Sequence, residues 1–165
     1  MTPAITLEEL LAWSCQNSAW WKAHFDANPA LLELPCDINR GSTVQQLVRH
    51  IWVVDLFWAQ RITGLPQLDR QTAPHGPLQV LYELHLEGVR IFRAALGDPA
   101  FSWDETLPLD YPWMPPEGRK ASRRKLAGHV LLHSQRHWAQ LSTLLRSAGH
   151  PTGFFGDMLF NSALE

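Results

Sequence analysis

The sequence has no long apolar run, few cysteines and no large excess of charge of either sign. None of its apolar stretches approaches the roughly 20 residues of a transmembrane helix, so we expect no membrane-spanning segment. The two cysteines, Cys15 and Cys36, form no CxxC motif, which predicts free thiols in a reducing, cytoplasmic setting. A net charge of −2 argues against a nucleic-acid partner, because surfaces that bind nucleic acid are strongly basic.

Apolar side chains are nevertheless plentiful, at 45% of the 165 residues. That length and content predict a single domain, residues 1–165, around one core. Four stretches carry apolar residues at helical spacing, and loops of about a dozen to twenty residues join them. We therefore predict an all-α fold. It is a four-helix bundle with an irregular loop between the third and fourth helices and a short C-terminal tail.

Capping signals predict where the first two helices begin. Thr6 and Glu9 have the form of a capping box, and Ser42 and Gln45 offer a second one. The helix that the second box opens is expected to run to about Ile62.

The third and fourth helices are bounded by proline and glycine. Pro77 suits the first position of the third helix, which should reach Gly97. Residues 98–121 hold several prolines and alternating apolar residues, which predicts a loop with short extended pieces. Residues 122–149 form the most strongly periodic stretch of the chain, and we predict that they make the fourth helix.

Three histidines, His129, His133 and His137, recur at every fourth position of the fourth helix. At about 100° per residue its apolar stripe spans roughly 60°, and the members of that stripe are Leu126, Val130, Leu141 and Leu144. His133 and His137 lie inside or at the edge of the stripe, whereas His129 lies on its flank. Two imidazoles one turn apart can hold one ion, but His129 and His137 are about 12 Å apart along the axis and cannot. Surface histidines on a basic helix, or a core pair satisfied by hydrogen bonds, are the alternatives.

A fourth histidine, His50, lies in the middle of the apolar face of the second helix, between Val54 and Phe57 on the helical wheel. Burying an imidazole without partners costs roughly 2 kcal/mol or more, so this ring should be hydrogen-bonded or metal-bound. In a bundle the second and fourth helices can meet across the core. His50, His133 and His137 would then converge on one metal site.

The remaining histidines give weaker signals. Glu83 and His85 are two residues apart and face nearly opposite ways, so they cannot form the Glu-x-x-His pair of di-iron bundles. We interpret His85 and His75 as structural or exposed, and His24 as a surface residue.

Aromatic residues stand out in the late loop and in the tail. Trp103, Tyr111 and Trp113 can line a pocket mouth or anchor the loop to the bundle. The tail, which carries Phe154 and Phe155, should dock on its own bundle or on a second subunit.

The order of these segments resembles a known family. A helix reading VRHIWVVDLFWAQRI and a late helix reading HVLLHSQRHWAQLSTLLRSAGHP are similar to those of the DinB superfamily, the DinB/YfiT-like four-helix bundles. The late motif of that family, a histidine followed four residues on by His-Arg-Gly-Gln, matches His133 and then the HWAQ segment that begins at His137. The resemblance covers essentially the whole chain, and it implies that the metal triad falls on His50, His133 and His137. Trp138 and Ala139 depart from the usual Arg-Gly.

The resemblance also implies a function. DinB-like proteins bind a divalent metal, commonly zinc or nickel, and relatives include transferases and isomerases that use low-molecular-weight thiols such as bacillithiol or mycothiol. For this chain it implies a metal-dependent transferase or a hydrolase-like enzyme, with a small thiol and a small electrophile as partners, and a homodimer. No catalytic residue is assigned, and Asp55 and Glu83 are candidate general bases only if folding brings them close to the triad.

Two other interpretations remain open. One is a metal-binding bundle without turnover, in which the ion serves sensing, storage or stability. The other is a bundle in which the histidines are simply buried and hydrogen-bonded. The three interpretations predict different outcomes. An enzyme shows metal-dependent turnover, a metal-binding bundle without turnover shows metal-dependent stability only, and a bundle of hydrogen-bonded histidines shows neither.

Overall fold

The computed structural model describes residues 5–38, 41–109, 119–153, 156–160 and 162. Within those residues four long helices dominate, and two short strands and two 3₁₀ helices lie between and after them. In chain order the elements are α1 (Leu7–Ala27), a 3₁₀ helix (Pro29–Glu33), α2 (Val44–Thr63), α3 (Leu78–Gly97), β1 (Thr106–Pro108), β2 (Lys120–Ser122), α4 (Arg123–Ser147) and a 3₁₀ helix (Met158–Phe160). The predicted all-α bundle is confirmed.

Helix α1 begins as predicted. The Thr6 hydroxyl accepts a hydrogen bond from the Glu9 backbone at 3.1 Å, and the Glu9 carboxylate accepts one from the Thr6 backbone at 2.6 Å. This reciprocal pair satisfies backbone donors that the first helical turn leaves free. Ser14 and Ser18 face inward and are fully buried, so a neighbouring helix can approach α1 closely.

The cap of α2 lies one residue later than predicted. Thr43, not Ser42, is the capping residue, and its hydroxyl accepts from the Gln46 backbone at 3.3 Å. The Gln46 side chain in turn accepts from the Ser42 backbone at 2.9 Å. Both hydroxyl residues can cap, and the glutamine that completes the pairing is Gln46 rather than Gln45. The helix ends where Gly64 adopts a left-handed conformation, with φ of 75°.

Helix α3 follows Pro77 and packs closely against α2 at Gly88. A Cβ added at Gly88 would lie 3.2 Å from both N and Cα of Leu56. Only a glycine lets the two backbones come this near without displacement. This contact sets the distance between α2 and α3 one turn away from His85.

Strands β1 and β2 form a small antiparallel hairpin that pairs Leu107 with Ala121, which agrees with the extended pieces predicted between the third and fourth helices. Residues 110–118, including Tyr111 and Trp113, lie outside the described residues. Ser122 then caps α4, and its hydroxyl accepts from the Lys125 backbone at 3.2 Å.

The bundle places α2 against both α3 and α4, and α1 against the same two helices. Aromatic side chains fill the interior, and Trp21, Trp52 and Trp138 are all fully buried. The ring of Trp138 stacks on that of Trp21 with centroids 5.3 Å apart. None of the described helices is both long and apolar enough to cross a membrane.

Part of the C-terminal tail contacts its own bundle. The indole of Trp13 donates a hydrogen bond to the carbonyl of Gly156 at 3.1 Å. Leu159 is 83% exposed, whereas Phe154 and Phe155 lie outside the described residues. Of the two predicted docking partners, its own bundle and a second subunit, the described part of the tail contacts its own bundle, at Gly156.

Candidate metal centre

The packing of α2 against α4 brings His50, His133 and His137 together. Nε2 of His133 lies 3.3 Å from Nε2 of His50 and 3.1 Å from Nε2 of His137. One ligand atom from each ring falls within 4.8 Å of the others, and no other group of three such residues does so among the residues described. The arrangement can hold a metal ion, as expected from the inward faces of the two helices.

The spacing of these nitrogens fits a tetrahedral ion. Two imidazole nitrogens bound at about 2.0–2.1 Å with tetrahedral angles lie about 3.3 Å apart, close to the two distances in the structure. Protons explain the spacing less well. An imidazole nitrogen has one in-plane site, which holds either a hydrogen or a lone pair, so Nε2 of His133 can form a normal hydrogen bond in only one of its two contacts.

Gln140 sets the orientation and tautomer of His137. The side-chain oxygen of Gln140 accepts a hydrogen bond from Nδ1 of His137 at 2.8 Å. With the proton on Nδ1, the lone pair of the neutral ring lies on Nε2, the atom that faces the cluster. Nδ1 of His133, by contrast, is buried and has no hydrogen-bond partner in the described part of the chain.

The three rings favour the neutral state. Burial, and then the nearby His137, lower the pKa of His50 to about 4. Burial, then His137 and His50, lower the pKa of His133 to about 3. Burial also lowers the pKa of His137, partly offset by its hydrogen bond to Gln140. Neutral imidazoles are the form that binds a metal, so little proton displacement opposes binding near neutral pH.

Arginines surround the cluster. Arg70, Arg136 and Arg49 all act to lower the pKa of His50. The guanidinium of Arg49 donates to the carbonyls of Arg70, Ala73 and Pro74 at 2.6–3.2 Å, which ties the segment after α2 to that helix. Arg70 lies over the ring of Phe57, and neither Arg70 nor Arg136 forms an ion pair within the described ranges. The centre is thus locally positive in a chain with a net charge of −2.

A cavity of about 350 Å³ opens beside His50. Its lining consists of Arg49, His50, Val53, Val54, Arg70 and Gln71. His50 therefore belongs to both the cavity and the cluster.

His129 lies apart from the three converging rings, as its flanking position predicted. It is exposed, and its ring centroid lies 6.2 Å from that of His133 and 6.2 Å from that of Trp58. His75 is also exposed, whereas His24, expected at the surface, is half-buried and stacks on Trp20 at 5.0 Å.

The aromatic residues proposed for a substrate pocket do not border the cluster as far as they are described. Trp103 is half-buried against the ring of Phe101 and lines a different cavity, together with Leu7 at the start of α1 and Arg124 at the start of α4. Of the two alternatives left open for Trp103, a pocket mouth and an anchor for the loop, its contacts favour the anchor. The Arg124 backbone N–H donates to the Trp103 carbonyl at 2.9 Å and holds the loop at the start of α4.

Neither candidate general base reaches the cluster. Glu83 is exposed and bonded to Gln79. Asp55 is buried, and its carboxylate accepts hydrogen bonds from Ser134 at 2.6 Å and from His85 at 2.9 Å. Sequence reasoning missed this second polar cluster. The apolar residues Leu81, Val89 and Phe92, at helical spacing around His85, were the signal that its ring faces inward.

Trp138, where the motif of the similar family has arginine, is a core residue with no exposed surface. Ala139 beside it is exposed. The position thus contributes packing here, and the positive charge near the cluster comes from Arg136 and Arg70.

Almost the whole bundle matches a known protein family. A family model described as the DinB family matches residues 9–162, which is most of the chain. No curated protein matches the chain.

Proposed function

The chain belongs to the DinB family, and from that membership and the geometry of the cluster we propose that it is a metal-dependent enzyme. His50, His133 and His137 bind one divalent transition-metal ion, zinc or nickel. The reaction is a thiol-dependent S-transfer or isomerisation that joins a low-molecular-weight thiol to a small electrophilic substrate.

The observation that supports metal binding best is the convergence of three neutral imidazole nitrogens. Their separations of 3.1 and 3.3 Å suit a shared ion and leave one contact unexplained by protons. Imidazole ligands accept zinc, nickel, copper, iron and cobalt, and zinc and nickel are the metals that family membership favours. Three protein ligands leave a coordination position open, as catalytic zinc sites do.

A divalent ion held there would supply Lewis acidity and lower the pKa of a thiol or water that reaches it. The side chains around it have separate tasks. Gln140 keeps the Nε2 lone pair of His137 directed at the ion. Arg70 and Arg136 favour an anionic ligand such as a thiolate, because no carboxylate neutralises them within the described ranges.

A metal-binding bundle without turnover is the second candidate function. The observation that favours it is the absence of a carboxylate from the cluster, since Asp55 and Glu83 are engaged elsewhere and no other acidic group joins the three rings in the described part of the chain. In that case the ion serves sensing, storage or stability.

Elemental analysis by inductively coupled plasma mass spectrometry tests the metal site. We expect about one equivalent of zinc or nickel after loading and dialysis, and its loss in His133→Ala. His129→Ala is the matched control, because His129 lies one turn before His133 on the same helix and outside the cluster. Full metal content in His133→Ala would contradict the site.

Turnover separates the two candidate functions. If the chain is an enzyme, the metal-loaded protein should convert a small thiol and an electrophilic substrate into product, and His133→Ala should not. Metal-dependent thermal stabilisation without product formation supports the non-catalytic bundle.

A further inference from the structure

The cavity beside His50 has a basic rim and an apolar wall. It measures about 350 Å³ and lies between α2 and the segment that follows this helix. Its polar lining consists of Arg49, His50, Arg70 and Gln71, and its apolar lining consists of Val53 and Val54. No acidic side chain is among its described lining residues. Two guanidinium groups without a carboxylate favour an anionic occupant.

Arg49 is fixed in place by the segment that follows α2. Its Nε donates to the Pro74 carbonyl at 2.9 Å, and its Nη2 donates to the carbonyls of Arg70 and Ala73 at 3.2 and 2.6 Å. These bonds leave the N–H groups of Nη1 without a partner among the described residues. No carboxylate in the same ranges pairs with Arg49, so its charge is positioned without being neutralised.

The Arg70 guanidinium is held by an aromatic ring. It lies over the ring of Phe57, with its Cζ 4.6 Å from the ring centroid. The neighbouring carboxylate of Asp69 does not pair with it, since that group accepts hydrogen bonds from the Gln71 backbone at 2.9 Å and the Thr72 hydroxyl at 3.2 Å. Stacking on a ring face leaves the edge of the guanidinium, where its donors lie, free to bind a planar anion.

Both arginines lie close enough to act on His50. Burial and the neighbouring His137 lower the pKa of His50 most, and the charges of Arg70 and Arg49 are among those that lower it further. This agrees with the lining of the cavity, in which the two arginines and His50 meet. An anion held by the arginines would therefore share the cavity with the His50 side chain.

We propose that the cavity beside His50 binds the carboxylate of the small electrophilic substrate, with Arg70 as its main partner and Arg49 as a second, fixed cation. That this molecule is the substrate rests on the proposed function, whereas carboxylate binding itself needs no metal. A carboxylate matches the edge of one guanidinium, because two parallel N–H···O bonds join these planar groups. Val53 and Val54 face the rest of the molecule, which is a short aliphatic or aromatic body.

Binding of benzoate and of benzamide to the metal-free full chain tests the carboxylate site. The two probes have nearly the same shape and differ in charge, and ligand-observed NMR titrations give both dissociation constants. We expect benzoate to bind at least about 10-fold more tightly than benzamide at low salt, and the difference to shrink as salt is added. Equal affinities for the two probes would overturn the proposal.

The variant Arg70→Gln identifies the guanidinium that binds the probe. It should weaken benzoate binding by at least about 10-fold and leave benzamide binding unchanged. Arg93→Gln is the matched control, because Arg93 is also exposed, carries the same charge and does not line the cavity. An equal loss of benzoate affinity in the two variants would mean that only net charge matters, and it would overturn the site.

Benzenesulfonate tests the preference for a carboxylate over other anions. It carries the same charge as benzoate on a tetrahedral rather than a planar group, so we expect it to bind at least about threefold more weakly. Benzenesulfonate that binds as tightly as benzoate would overturn the assignment to a carboxylate.

The metal content of the same wild-type protein separates this proposal from the proposed function. A protein that binds benzoate selectively yet takes up no metal would support the carboxylate site and contradict the proposed function. A protein that takes up zinc or nickel yet binds benzoate and benzamide equally would overturn the carboxylate site and leave the metal centre standing.

Discussion

Two histidine clusters in one bundle are in opposite states of protonation. His50 and His133 have pKa values lowered to about 4 and about 3, whereas His85 has a pKa raised to about 9. Burial does not explain the difference, because His85 is the most buried of these rings and burial alone lowers a histidine pKa. The difference comes from the neighbours, which are imidazoles and arginines in the first cluster and the Asp55 carboxylate in the second.

The opposite protonation states suit the two clusters to different chemistry. A cluster of neutral rings with a positive surround can accept a metal ion and an anionic ligand, because the rings present lone pairs and the arginines attract negative charge. A ring paired with a carboxylate is suited to holding and returning a proton. The same side chain thus has two uses, according to what lies across the helix interface.

The largest effect should come from removing the carboxylate that distinguishes the clusters. Asp55→Ala leaves the buried imidazolium of His85 without its counter-ion, and we expect it to lower the free energy of unfolding by about 3–5 kcal/mol. Urea denaturation of the metal-free protein measures this change. Asp104→Ala is the control, because Asp104 pairs with Arg124 at the surface with 81% of its side chain exposed and should change stability by less than about 1 kcal/mol. A loss below about 1 kcal/mol for Asp55→Ala would show that the pair does not stabilise the fold.

The close approach of α2 and α3 at Gly88 is the next test, since it holds His85 beside Asp55. Gly88→Ala places a methyl group 3.2 Å from the Leu56 backbone, and we expect a destabilisation of about 1–3 kcal/mol in thermal unfolding. Gly128→Ala on α4 meets no atom within 4 Å, so helix propensity should make it neutral or stabilising by up to about 1 kcal/mol. Equal effects of the two substitutions would mean that the Gly88 contact is relaxed in solution.

Replacing Gln140 should weaken metal binding at the three-histidine cluster and leave the Asp55–His85 pair unchanged. Gln140→Ala removes the acceptor that orients His137, and we expect zinc affinity to fall about 10–100-fold in a chelator competition titration. Thr143→Ala, an exposed change one turn later on the same helix, is the matched control. If the two variants bind zinc equally well, His137 is oriented by something other than Gln140.

The smallest expected effect is the change in the free energy of unfolding per pH unit, which should have opposite signs for the two clusters. His50 and His133 take up protons more readily when unfolded, so the metal-free protein should lose stability as the pH falls from 6.5 towards 4. His85 is protonated more readily when folded, so its contribution is full below pH 6.5 and is lost as the pH rises towards 9. Each group can contribute at most about 1.4 kcal/mol per pH unit.

Urea midpoints measured between pH 4 and 9 test both trends. The loss of stability below pH 6.5 is the acid limb of the profile, and the loss above pH 6.5 is the alkaline limb. His133→Ala should flatten the acid limb and leave the alkaline limb intact. His85→Gln should do the reverse. Identical pH profiles for the two variants would contradict the assignment of the limbs to separate clusters.

Local signals predicted the helices and most of their ends. The Thr6 and Glu9 box, the proline before α3 and the glycine after α4 were all readable, because capping depends on residues within one turn of each other. The cap of α2 was displaced by one residue, since Ser42 and Thr43 are chemically equivalent as caps. The three converging histidines were also predictable, because each lies on the apolar face of its own helix.

Features that depend on more than one helix were not predictable in the same way. The position of Trp103 was left open between a pocket mouth and an anchor for the loop, because a loop has no periodic face to fix its direction. Gln140 was recognised only as part of a motif, and its bond to His137 became visible with the side chains in place.

The sequence by itself determined the four helices, their inward faces and the position of the three histidines on those faces, since each follows from spacing along one helix. The tertiary structure alone decided that Asp55, His85 and Ser134 share one interior cluster. Their pairing depends on which helix packs beside which, and no local periodicity encodes that choice. The protonation state of each imidazole follows from the same choice, because it is the charges brought from distant parts of the chain that set its pKa.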